Sequence, residues 1–125
     1  MSKLESVIES KIRLYIISVG GNCHKLDASF EPSIPDRIVL FPGCIPIYLE
    51  IKQAKGAIRP GQLKKIDLLF NTGYRVHIVR SLDQVKDILN SYSDISNYIQ
   101  NYKPVRQKGA GKYKVNKRWC YLVKT

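Results

Sequence analysis

The stretch Ile34-Pro35-Asp36-Arg37-Ile38-Val39-Leu40-Phe41-Pro42-Gly43-Cys44-Ile45-Pro46-Ile47-Tyr48-Leu49-Glu50-Ile51-Lys52 holds two short apolar runs around a turn signal. Residues 37–41 are rich in β-formers and stop at Pro42-Gly43; residues 45–52 form the second run, so the natural reading is a hairpin. In the second strand the period of two puts Ile45, Ile47, Leu49 and Ile51 on one face, and Pro46, Tyr48, Glu50 and Lys52 on the other. Pairing around the turn brings Asp36, at the start of the first strand, near Glu50 and Lys52, at the end of the second. Charged groups at such positions stand where burial should exclude them.

Reading outward toward the N-terminus, Leu4, Ile8, Ile12, Tyr15, Ile16 and Val19 recur at intervals of three and four, the stripe of one buried helix face. Gly20-Gly21 ends that helix, residues 22–26 suit a short strand, and the proline-containing residues 27–35 read as a loop. Toward the C-terminus, residues 53–59 form a polar loop. Pro60 suits the first turn of a helix carrying Ile66, Leu69 and Phe70, which runs to about Thr72 before a stop at Gly73. Residues 74–80 read as a strand, and Ser81 caps a helix through Val85, Ile88 and Leu89. The order α-β-β-β-α-β-α predicts an α/β fold with a mixed central sheet flanked by helices. The last strand is reached through a helix, which favours a parallel crossover. Residues 1–92 form the expected domain and 93–125 a basic, aromatic C-terminal extension, in which residues 95–98 extend a helix and 112–123 pair as strands or pack on the same domain.

Composition narrows the function. Lys and Arg number 21 against 10 Asp and Glu, a net charge of +11 over 125 residues, so a polyanion is the expected partner and nucleic acid the commonest one. The charge concentrates in residues 101–125, where eight basic residues, among them Lys112, Lys114, Lys117 and Arg118, meet no acid and alternate with Tyr102, Tyr113, Trp119 and Tyr121. Basic groups hold phosphates and rings stack on unpaired bases. Three scattered cysteines exclude a Cys-x-x-Cys zinc site, and no apolar run approaches the roughly 20 residues of a membrane span. A reduced, cytoplasmic setting is expected, with no membrane and no small-molecule cofactor.

The chemistry follows from the two carboxylates. Asp36 and Glu50 brought together repel, and a divalent cation relieves the repulsion. Magnesium suits one or two carboxylates completed by water and a substrate phosphate. Lys52 would hold or activate the attacking water and steady the developing charge, which is phosphodiester hydrolysis. The bland alternative makes Glu50 and Lys52 a solvated strand end and Asp36 a turn residue after Pro35. Glu5 and Glu9, one helical turn apart, either reach the site or simply favour the helix dipole. Gln62 either orients a water or phosphate or is a surface glutamine.

Together these residues resemble a known family. The run from Ile34 to Gly43, followed by Tyr48-Leu49-Glu50-Ile51-Lys52 and then Gly56-x-x-Arg59-Pro60-x-Gln62, resembles the virus-type replication-repair nuclease domain, VRR-NUC, of the PD-(D/E)xK superfamily. The likeness extends from Ile8-Glu9 and Gly20-Gly21 to Val76-His77-Ile78-Val79-Arg80-Ser81. It implies a restriction-endonuclease-like α/β core and a magnesium- or manganese-dependent DNA nuclease of viral or phage type. Asp36 and Glu50 would hold metal with the backbone carbonyl of Ile51, Lys52 would serve hydrolysis, and Gln62 would match the motif glutamine. The first-helix glutamate falls on Glu9, with Glu5 the other candidate. Lys25 stands where a basic residue often touches the DNA backbone, and Arg37, Lys55 and Arg59 complete the expected contacts. Related sequences usually have glycine where Ser33 stands. The family implies a homodimer cutting branched DNA such as four-way (Holliday) junctions. The alternatives are a flap or single-strand nuclease, and a catalytically silent DNA-binding module.

Overall fold

The computed structural model describes residues 2–104 apart from residues 28, 30 and 32. Helix α1, Lys3–Ser18, begins where the Ser2 side chain accepts a hydrogen bond from the Glu5 amide, and it ends at Gly20, whose φ of 93° only glycine adopts readily. Strands β1 (Asn22–Lys25), β2 (Arg37–Leu40) and β3 (Ile47–Ile51) follow, then α2 (Pro60–Asn71), β4 (Arg75–Val79), α3 (Leu82–Ser91) and α4 (Ser93–Asn101).

The four strands form one mixed sheet in the order β1-β2-β3-β4, antiparallel except for the parallel β3–β4 pair that the α2 crossover makes possible. The expected hairpin is present, with Arg37 opposite Leu49, Ile38 opposite Tyr48 and Val39 opposite Ile47. The core lies on one face, where Ile12 and Ile16 of α1, Val85 and Leu89 of α3 and Ile95 of α4 close over Val39, Ile47, Leu49, Ile51 and Val79. Each such side chain, fully buried, contributes on the order of 2 kcal/mol.

Three expectations change. Ile45 lies outside the inward row of β3 and is 57% exposed. Its amide donates to Asp94 Oδ2 at 3.0 Å and Pro46 has no amide to give, so the ladder starts at Ile47. Phe70, placed on the apolar side of α2, is 66% exposed, and the sole buried residue of that helix is Gln62. The chain beyond residue 91 does not prolong α3. Tyr92 adopts an extended conformation, φ −95° and ψ 117°, while its hydroxyl meets His77 Nε2 at 2.6 Å and its ring lies under the Arg75 guanidinium. Held there, Tyr92 breaks the helix, and α4 starts anew. Because Ile95 is buried and the Tyr98 hydroxyl donates to the Gly20 carbonyl, the packed unit continues past residue 92. The strands expected in residues 112–123 lie outside the described residues.

Candidate active site

The β2–β3 register decides which face each charged residue occupies. Opposed residues of an antiparallel pair share a face, so Arg37, opposite the buried Leu49, points to the α1 side. Glu50 alternates with Leu49 and Ile51 and points to the other side, toward α2. There it is 1% exposed, with Gln62 Nε2 donating to its Oε1 at 2.9 Å and Lys52 Nζ at 3.8 Å from the same oxygen. The Gln62 side-chain oxygen accepts the Arg59 amide, so this glutamine bridges the start of α2 to the site instead of lying on the surface. Oxygen Oε2 of Glu50 is buried and, among the described residues, has no hydrogen-bond partner.

Asp36 sits beside this carboxylate, its Oδ2 accepting the Ile51 amide at 3.0 Å. Burial pushes the Glu50 carboxyl up to about 7, the Asp36 charge adds to the rise, and the Lys52 ammonium pulls it back in part. Successive residues of a strand turn their backbone groups to opposite sides. The Lys52 amide bonds to Val79 on β4, so the Ile51 carbonyl faces the β2 side together with its amide and Asp36. Two carboxylates and one carbonyl, all hard oxygen donors, thus gather at one strand end. An uncompensated oxygen and two close carboxylates are what a divalent cation would satisfy, so the donor set fits magnesium or manganese.

Glu9 is not gathered with them. It is buried on the α1 face in an ion pair with Arg37, an arrangement that also turns Arg37 inward from the surface position expected of a phosphate contact. Among the described residues, no group of three or more His, Cys, Asp or Glu side chains is placed to hold a metal. Glu5, the other candidate, stands near Gly56. Lys25 is exposed and lines, with Leu26, Asp27, Ser29 and Asp36, a cleft of about 550 Å³. Lys55 and Arg59 are exposed beyond Lys52, whereas Lys112, Lys114, Lys117 and Arg118 fall outside the described residues. Ser33 has φ 68°, the left-handed conformation that the usual glycine would adopt without strain.

No family model and no curated protein matches the chain. Solved structures do. A VRR_NUC domain superposes with a TM-score of 0.66 at 23% identity, over 73% of this chain and 99% of that one. A VRR_NUC domain protein gives 0.58 at 16% identity, over 76% and 92%. The chain has the VRR_NUC fold. With the VRR_NUC fold established, the four-stranded mixed sheet and flanking helices are those of a restriction-endonuclease-like α/β core.

One residue of this VRR_NUC fold escaped the sequence reading in any functional role. Arg80, immediately after β4, directs Nη1 at the carbonyls of Gln53 (2.7 Å) and Gly56 (2.8 Å), in the loop that follows Lys52. The available signal was a basic residue ending a buried strand parallel to β3, at the same end as Lys52.

Proposed function

We propose that the chain is a metal-dependent DNA endonuclease acting on branched DNA, four-way junctions foremost, as a homodimer. The observation that carries this reading is the buried Glu50 beside Asp36, its Oε2 without a partner among the described residues and Lys52 Nζ 3.8 Å from Oε1, on a VRR_NUC fold.

Asp36 and Glu50, with the Ile51 carbonyl, would hold magnesium or manganese, which when bound supplies Lewis-acid polarisation of a phosphoryl oxygen. Gln62 holds Glu50 Oε1 and leaves Oε2 free to bind. The Ile51 amide fixes the Asp36 carboxylate in the same way. Lys52 Nζ would donate to the attacking water or to a non-bridging phosphate oxygen, and so stabilise the charge that grows as the water oxygen bonds to phosphorus and the ester P–O bond breaks. Lys25, Lys55 and Arg59, with Lys112, Lys114, Lys117 and Arg118, would hold the DNA backbone. Exposed Leu63 and Phe70, about two turns apart on one stripe of α2, support an interface between two copies.

The test is cleavage of a synthetic four-way junction beside linear duplex, flap and single strand, with magnesium or manganese, by the wild type and Lys52→Ala. Paired junction cuts that disappear with chelator and in the variant are expected. Cleavage of flaps or single strands alone would move the substrate, and binding with no cleavage would make the protein a silent DNA-binding module. Light scattering of the DNA complex checks the dimer.

A further inference from the structure

Arg80 is half-buried, and its guanidinium faces main-chain oxygen, not carboxylate: among the described residues it makes no ion pair. Its Nη1 reaches Gln53 O at 2.7 Å and Gly56 O at 2.8 Å, with Ala54 O at 3.4 Å. The loop it holds is already tight. The Gly56 amide donates to the Gln53 carbonyl at 2.9 Å, and a Cβ on Gly56 would stand 3.2 Å from Gln53 Cγ and 3.3 Å from Gln53 O. Behind Arg80, its own amide donates to Gln84 Oε1 at 2.7 Å in the first turn of α3, and the preceding Val79 carbonyl accepts the Lys52 amide. The far end of the loop is fixed by Gln62 at the Arg59 amide.

The segment between Lys52 and Gln62 is therefore held at both ends, by Gln62 on one side and Arg80 on the other. Lys52 leads into it and Lys55 lies within it. All of these contacts come from Nη1 alone, so a lysine ammonium, itself a compact donor on a shorter stem, would reproduce them only in part.

We propose that Arg80 is a positioning residue for phosphodiester cleavage: by clamping the carbonyls of Gln53 and Gly56 it sets the loop that aims Lys52 and Lys55 at the DNA backbone. The proposal rests on the nuclease reading above, and its test separates the two. One readout needs no activity. The Lys55–Gly56 bond is a tryptic site inside the clamped loop, and proteolysis tracks local opening. Well below the melting temperature, Arg80→Ala is expected to be cut there about tenfold faster than the wild type. The same variant is expected to lose about a hundredfold in kcat on the cleaved DNA while KM moves less than about threefold, since misplacement and not binding is at fault. Arg80→Lys should fall between the two. Millimolar guanidinium, but not equal sodium chloride, should slow tryptic cutting of Arg80→Ala and restore part of its kcat by refilling the vacated carbonyl cage.

Tryptic cutting at the wild-type rate, or a kcat within about threefold of the wild type, overturns the proposal. A kcat loss matched by an equal rise in KM overturns it also. A wild type that cuts no DNA defeats the nuclease reading instead, and the tryptic and guanidinium measurements then decide by themselves whether Arg80 holds the loop.

Discussion

Replacing Glu50 by Gln removes a charge that the fold holds at a cost. Burial and the neighbouring Asp36 raise the Glu50 carboxyl from 4.5 to about 7. Each unit of displacement is worth about 1.4 kcal/mol, so the ionised carboxylate destabilises the metal-free protein by roughly 3 kcal/mol. The sign follows from proton binding. A carboxyl whose pKa is higher folded than unfolded holds its proton more tightly in the native state, so stability falls as pH rises from 4.5 to about 7 and is level above that. The side-chain amide introduced by Glu50→Gln would still accept from Gln62 and would turn a donor toward Asp36. Melting of both proteins in chelator from pH 5 to 8 tests this. The variant should gain on the wild type up to about pH 7 and keep a lead on the order of 10 °C from there to pH 8. His77, whose pKa burial lowers, is present in both proteins and drops out of the difference. Manganese at pH 8 should raise the wild type's melting point and leave the variant's unchanged. A difference in melting point that does not grow with pH would refute the reasoning.

Three further outcomes are expected from calorimetry or denaturant titration. Ser33→Gly, which relieves a non-glycine residue at φ 68°, should stabilise by up to about 1 kcal/mol; a loss would mean the serine hydroxyl compensates for its backbone. Arg37→Leu strands the buried Glu9 carboxylate and should cost about 3–5 kcal/mol, most of it recovered in Glu9→Leu/Arg37→Leu. An Arg37→Leu variant of normal stability would return Arg37 to the role of a DNA contact. Gln62→Ala leaves Glu50 Oε1 and the Arg59 amide without their partner and should cost about 1–3 kcal/mol.

What the sequence reveals depends on whether a feature is local. The hairpin is readable because Pro42-Gly43 and the alternation of residues 45–52 act over neighbouring positions, and it carries Asp36, Glu50 and Lys52 with it. The end of α2 is readable for the same reason: Gly73 sits at φ 95°. Glu9 is not, since nothing along one helix says which side of the sheet it will cover. Arg37 faces inward only because its cross-strand partner is Leu49. The break at Tyr92 depends on His77 and Arg75, distant in the chain, and the Arg80 clamp depends on the parallel register of β3 and β4.

Strand β3 is held by carboxylates from outside its own ladder at both ends. Asp94 takes the amide of Ile45 just before it, with Arg75 bridging to the same carboxylate, and Asp36 takes the amide of Ile51 at its close. A shift of β3 by one residue would send Glu50 into the apolar layer under α1 and deliver Leu49 to the face where Gln62 and Lys52 now meet Glu50. Both anchors would have to let go together for that to happen. The strand behaves like a string stopped at both ends, so changes in the turn at residues 41–44 can be absorbed while the phase of the side chains at Glu50 and Lys52 stays fixed.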